Sequence, residues 1–301
     1  MNLKRENDIL EETLSIAEAG YAAAYRFLLE EYEQRPKDFG PQALYFLACL
    51  AGGDGHGSLA LAWLDKSIRE NGWWYRPEVL EDDDLAPLND NPAFIALKAL
   101  SDARYAKAAS TGRTVFSWKQ KTAGKLFLAV HGNTQNAQIA REDWQPLLDS
   151  DWQLETIQSA EPDGYGTYRW SYDMEAYAPV ADAIQKTQGE GYEKLVCGGF
   201  SAGCDMLLRA IAFTPARCDA LILQSPWIPM LEEHGQELVH VIREKGIALK
   251  IRCGSEDGDC LPMARQLHDE LHSAGLQAEL DIQRGSRHQF PGVENEKLQG
   301  E

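Results

Sequence analysis

No stretch of this chain approaches the ~20 consecutive apolar residues that a membrane-crossing helix needs. With 44% apolar residues the sequence can still bury a sizeable core. Positive charge is in short supply: 29 Lys and Arg face 47 Asp and Glu, a formal charge of −18. That balance argues against nucleic acid and against an anionic membrane surface as partners. The six cysteines (Cys49, Cys197, Cys204, Cys218, Cys253, Cys260) follow no disulfide or zinc spacing. Cys197 in an apolar strand and Cys49 in an apolar helix read as small core residues in a reducing compartment. Cys253 and Cys260 flank an acidic loop, where a bridge stays open. The first eight residues are charged and contain no apolar signal region, so a cytoplasmic location is expected.

The 301 residues suffice for one large or two medium domains, and the pattern changes once. Residues 8–33 carry apolar positions at helical spacing (Leu10, Leu14, Ala17, Ala24, Leu28), interrupted at Gly20 and stopped by Arg35-Pro36. Further helices are predicted over 41–51 and 58–71, either side of the loop Gly52–Gly57. Ala19-Gly20 and Ala51-Gly52 each precede a helix, at an offset of 52 − 20 = 32 residues. Residues 8–105 thereby resemble the helix–turn–helix repeat of tetratricopeptide proteins, whose period is ~34; the other reading is a plain helical cap on the next domain. Two repeats are too few for a free-standing solenoid. The resemblance implies a protein partner or self-association through this part. Residues 105–113 carry little pattern and mark the boundary, giving domains at 1–110 and 111–301.

Beyond it, strand-like runs at 114–119, 125–130, 152–158, 194–198, 220–224, 248–252 and 277–283 alternate with helical patterns at about 139–149, 171–188, 202–213, 230–244 and 261–274. Such alternation predicts a mostly parallel sheet flanked by helices, an α/β fold. Ligands of such sheets sit beyond the carboxyl ends of the strands, so the residues just after each strand matter most. After 125–130 comes His131-Gly132-Asn133-Thr134-Gln135. After 194–198 comes Gly199-Phe200-Ser201-Ala202-Gly203. After 248–252 comes a loop with Glu256, Asp257 and Asp259, and after 277–283 one with His288.

Gly-x-Ser-x-Gly between a strand and a helix is a nucleophile-elbow arrangement. Its glycines allow a turn too tight for a Cβ, and Ser201 is held at a helix N-terminus that favours developing negative charge. A lone match is weak, but the order oxyanion loop, Ser, acid, His strengthens it. On these residues the sequence over 112–295 resembles the α/β-hydrolase superfamily, within it the carboxylesterase/phospholipase or dienelactone-hydrolase-like branch. The resemblance implies hydrolysis of a carboxylic ester, or less often a thioester or amide, of a small or medium substrate, with no cofactor and no metal.

Ser201 would be the nucleophile, His288 its base, and Asp257 the orienting acid. Asp257 is preferred over Glu256 and Asp259 because the acid of similar families sits three residues past a strand-ending glycine, here Gly254. Backbone N–H groups of Ala202 and Asn133, with Thr134 as the near alternative to Asn133, would form the oxyanion hole. His131 reads as part of that loop and not as the base. Tyr165, Tyr168 and Trp170 would line an apolar substrate pocket or simply pack. Asp163–Gly166 reads as a flexible loop, Asp205 as a helix-face carboxylate, and His268 with His272 as a solvated helix face, since H-E-x-x-H has its Glu elsewhere. Two further readings remain: a peptidase of the same fold, and a non-catalytic protein recruiting partners through its helices.

Overall fold

The structure, a computed structural model, describes residues 3–173 and 176–290. The chain divides into two compact units, Met1–Gly112 with Pro162–Thr167, and Arg113–Glu161 with Tyr168–Glu301.

The first unit is helical: α1 (Leu3–Ala17), α2 (Tyr21–Gln34), α3 (Pro41–Gly53), α4 (Gly57–Asp65) and α5 (Pro92–Thr111). Gly20, at φ 146°, separates α1 from α2 with a backbone that side chains other than glycine rarely adopt. α3 is buried nearly all round (Leu44, Leu47, Ala48, Leu50, Ala51) and forms the middle of the unit. The buried Glu6 carboxylate accepts the N–H groups of Gly40 and Ala43 at 2.9 and 2.8 Å and so closes the start of α3. After α4 the helical pairing stops. A single π turn and two short 3-10 segments lead to α5, so the repeat does not continue past its second pair.

Sequence patterning missed α5. Only Phe94, Leu97 and Ser101 of its twenty residues are buried, too few to impose a helical period. Its start was nonetheless marked: Asn91 caps Ala93 N–H at 2.9 Å and Pro92 occupies the first turn.

The second unit contains a seven-stranded sheet in the order β1-β3-β2-β6-β7-β8-β9. The strands are β1 (Val115–Phe116), β2 (Lys125–Val130), β3 (Trp152–Gln158), β6 (Lys194–Phe200), β7 (Ala220–Gln224), β8 (Ala248–Gly254) and β9 (Ala278–Gln283). β1 pairs antiparallel and every other neighbour parallel. Alternation along the strands feeds two cores. Leu126, Leu128, Val130, Leu221, Leu223 and Ile251 pack with α7 (Ala178–Gln188), α8 (Ala202–Phe213), α9 (Leu231–Lys245) and α10 (Cys260–Ser273). Phe127, Ala129, Val196 and Ile222 face the other way, toward Ala140 and Trp144 of α6 (Ala137–Trp144). Sheet order reverses between β2 and β6, and the crevice at such a switch point is where ligands of open α/β sheets bind.

Residues 161–169 are not a flexible loop. They form a hairpin of β4 (Glu161–Gly164) and β5 (Thr167–Arg169), with Gly166 at φ 81° in its turn. Asp163 accepts from Arg76 Nε at 2.8 Å, and Tyr165 N–H donates to Trp74 O at 3.0 Å. The predicted helix over 171–188 begins only at Ala178, and its residues 174–175 lie outside those described.

Candidate active site

Ser201 stands between the last residue of β6 and the first of α8, at φ 51° and ψ −125°. For a residue with a Cβ this is strained backbone, worth roughly 1–3 kcal/mol. The turn can be this sharp because of what flanks it. A Cβ on Gly203 would stand 2.5 Å from His131 O, and one on Gly199 would stand 2.8 Å from Cys204 N. Ser201 N–H donates to Gln224 O at 3.0 Å, pinning the turn to the end of β7. Among the described residues, the non-glycine residues with positive φ are Thr134, Ser201 and Ser225, which follow β2, β6 and β7. Strain is thus gathered at the strand ends beside the switch point.

His288 bridges the other two groups. Its Nε2 lies 3.0 Å from Ser201 Oγ and its Nδ1 2.9 Å from Asp257 Oδ2. Asp257 is buried, whereas Glu256 and Asp259 are exposed, which separates it from its rivals in the same loop. Burial opposes the charge on Asp257. The His288 imidazole, the Cys260 N–H and the Ser225 hydroxyl outweigh that and hold its carboxyl below the usual carboxylate range. The carboxylate therefore stays charged and aimed at the imidazole. The loops carrying Asp257 and His288 are tied together: Ser255 N–H donates to Gln283 O at 2.8 Å, Glu256 N–H to Ser286 O at 2.9 Å, and Gly285 N–H to Ser255 Oγ at 2.9 Å.

The loop after β2 is held from beneath. His131 is fully buried; its Nδ1 donates to Gly132 O at 2.7 Å and its Nε2 accepts Ser159 N–H at 3.1 Å. Burial pushes its pKa down to about 4, the Gly132 hydrogen bond opposing only in part. It is a neutral structural imidazole. Gln135 Oε1 accepts Gly132 N–H at 2.9 Å, and Asn133 Oδ1 accepts Trp170 N–H at 2.8 Å. Asn133 is thereby fixed at the end of β2, next in the sheet to β6. The Ala202 N–H belongs to the first turn of α8, where helix donors lack intrahelical acceptors.

The three aromatic candidates go to different places. Trp170 is 3% exposed and its Nε1 donates to His131 O at 2.8 Å, so it supports the loop from within the core. Tyr168 is half-buried and its N–H donates to Gln135 O at 2.8 Å. Tyr165 is exposed and sits with Trp73 and Trp74 in the first unit. Sequence reasoning passed over Tyr172, exposed and in contact through its hydroxyl with Asn133 Nδ2 at 3.4 Å, and Trp227, whose N–H donates to Ser201 O at 3.3 Å. No periodic signal marks either. Asp205 is not a surface carboxylate: it is fully buried, paired with Arg209 Nε at 2.5 Å, and accepts Met230 N–H at 3.2 Å. The His268 and His272 rings stack 6.2 Å apart on α10. All six cysteines are free thiols, Cys253 and Cys260 included.

The mostly parallel seven-stranded sheet with its flanking helices gives this chain an α/β-hydrolase-like fold. Residues 5–109 match the family model of the A/B hydrolase-like N-terminal domain. Among solved structures the chain is similar to an uncharacterized protein from Bacillus cereus ATCC 10987, with 28% identity over 94% of this chain and 93% of that one, at a TM-score of 0.53. It is more distantly similar to esterase PE8 (18% identity, 60% of this chain and 92% of that one, TM-score 0.44). A third likeness is to acyl-protein thioesterase 2 of Zea mays (15% identity, 60% and 93%, TM-score 0.44). No curated protein matches the chain.

Proposed function

We infer that this protein is a serine hydrolase that cleaves a carboxylic ester or thioester of a small or medium substrate through an acyl-enzyme on Ser201. The observation that carries the reading is the continuous hydrogen-bonded line from Asp257 Oδ2 to His288 to Ser201 Oγ, with steps of 2.9 and 3.0 Å. Ser201 Oγ attacks the substrate carbonyl carbon as its proton passes to His288 Nε2. Asp257 stabilises the imidazolium through Nδ1–H. The tetrahedral oxyanion takes hydrogen bonds from the backbone N–H groups of Ala202 and Asn133, each worth roughly 2.7–4 kcal/mol to the transition state. Collapse breaks the bond to the leaving alcohol or thiol, which takes the proton from Nε2. Water then attacks the acyl carbonyl and gives a proton to His288, and the acid departs as His288 passes that proton to Ser201 Oγ.

Tyr172 and Trp227, beside Asn133 and Ser201, are our candidates for the walls against the substrate. Turnover of p-nitrophenyl acetate and butyrate, measured for the wild type and Ser201→Ala, tests the reading. An initial burst with wild type, and a rate at least ~10³-fold lower in the variant, is expected. Equal rates in the two proteins would remove Ser201 from the chemistry.

A further inference from the structure

The reaction leaves a thiol beside the base without a task. Cys260 is the first residue of α10, and its Sγ lies 3.4 Å from His288 Nδ1. Its backbone N–H donates to Asp257 Oδ1 at 3.1 Å, so the residue is fixed against the acid as well. One ligand atom from each of Asp257, Cys260 and His288 lies within 4.8 Å of the other two. We propose that these three side chains form an inhibitory site for a thiophilic divalent cation, with zinc as its natural probe.

The two distances from the imidazole suit a tetrahedral ion. With bonds of about 2.3 Å to sulfur and 2.0–2.1 Å to nitrogen, neighbouring sulfur and nitrogen ligands stand about 3.6 Å apart. Sγ and Nδ1 stand 3.4 Å apart. Nitrogen and oxygen ligands would stand about 3.4 Å apart. From the 2.9 Å between Nδ1 and Oδ2 the pair has to open by only about half an ångström. The fourth position falls to water, as in open zinc sites. Cys260 itself is 1% exposed, but the His288 side chain is about a third exposed and gives the ion its approach. A carboxylate, a thiolate and a neutral imidazole together balance a 2+ charge.

Binding would disable the base by a change of tautomer. The Cys260 thiol gives up one proton to solvent. The imidazole proton moves from Nδ1, now bonded to the metal, to Nε2, where it faces Ser201 Oγ. His288 is then a donor toward Ser201 and cannot take the serine proton. No bond is oxidised or reduced, and a chelator reverses the state. The inhibition rests on the serine hydrolase reading above, but the binding does not, because it can be read without turnover.

The test has two readouts on wild type, Cys260→Ala, Cys260→Ser and Cys218→Ala, the last removing a buried thiol elsewhere in the unit. Zinc is titrated into a p-nitrophenyl butyrate assay, each protein being compared with its own metal-free rate and then treated with EDTA. Cadmium binding is followed by the ultraviolet absorption of its thiolate bond. Wild type and Cys218→Ala should be inhibited alike and reversibly. The Cys260 variants should need at least ~10-fold more zinc, a loss no smaller than that of a supporting metal contact, and lack the cadmium band. Equal zinc sensitivity in wild type and the Cys260 variants, or a cadmium band that survives them, overturns the site. If both Cys260 variants fail to fold, His288→Ala must weaken the cadmium band, and an unchanged band is a refutation. A Cys260-dependent band in a protein that hydrolyses no ester leaves the metal site standing and defeats the hydrolase reading. Brisk hydrolysis untouched by zinc, without a band, does the reverse.

Discussion

A Cβ on Gly254 would stand 2.2 Å from the carbonyl oxygen of Ser286 and 2.6 Å from that of Arg287. The end of β8 and the loop carrying His288 are therefore in close backbone approach, and the Asp257–His288 pair is set by that approach as much as by its own hydrogen bond. Gly254→Ala must push the His288 loop away. Because a misplacement near 1 Å costs about 10²-fold in rate, kcat should fall 10- to 100-fold. The β8–β9 pairing, which ends at this residue, should survive by circular dichroism. A variant with full kcat would show that the loop is not positioned from Gly254.

Acid should loosen the second unit through His131. Its folded pKa, about 4, lies below the ordinary 6.5 because the ring is fully buried. A group depressed in this way contributes its full stability above pH 6.5 and loses it as pH falls toward 4. The loss amounts to roughly 3 kcal/mol over that window, from a shift of about 2.5 units at 1.36 kcal/mol each. Protonation would place a hydrogen on Nε2 against the Ser159 N–H that it accepts. Urea unfolding between pH 7 and 4.5 should show this slope, and His131→Gln should flatten it.

Glu6 works in the opposite sense in the first unit. Burial raises its pKa from 4.5 to about 7 against the help of the Ala43 and Gly40 N–H groups. The protonated form is favoured in the fold, so its contribution is complete below pH 4.5 and is lost as pH rises through 7. Glu6→Gln keeps an acceptor for the two N–H groups but buries an amide where Glu6 Oε2 has no described partner, at about 1 kcal/mol. The variant should match or fall below wild type at pH 4.5 and exceed it at pH 8. A wild type more stable at both values contradicts the assignment.

Strain at Ser201 should be recoverable as stability. Glycine tolerates φ 51° with ψ −125° and alanine does not. Ser201→Gly should therefore unfold at higher denaturant than Ser201→Ala, by about 1 kcal/mol. The reverse order would mean that the turn is not strained in solution.

Much of this was legible from the residues. Ser201, Asp257 and His288 could be singled out as candidates because ligands of parallel sheets sit past the strand ends, and the pattern located those ends to within a residue or two. What escaped had a physical reason. α5 buries only one narrow stripe and so lacked a period, although Asn91 and Pro92 announced its start. The β4–β5 hairpin is too short and polar for alternation to register. Trp170 turned inward because its indole N–H meets the His131 carbonyl, a partner that no spacing rule reveals. The short distance from Cys260 to His288 joins residues twenty-eight positions apart and follows only from the packing of α10 against β8 and β9.

Ser201, activated by His288, is the proposed nucleophile. Intact-mass spectrometry of the protein after treatment with a fluorophosphonate, followed by peptide mapping, reads this directly. One adduct per chain, on Ser201, absent from Ser201→Ala and strongly slowed in His288→Ala, is the predicted result. A folded wild type that takes up no adduct, or takes it up equally fast without His288, would contradict it.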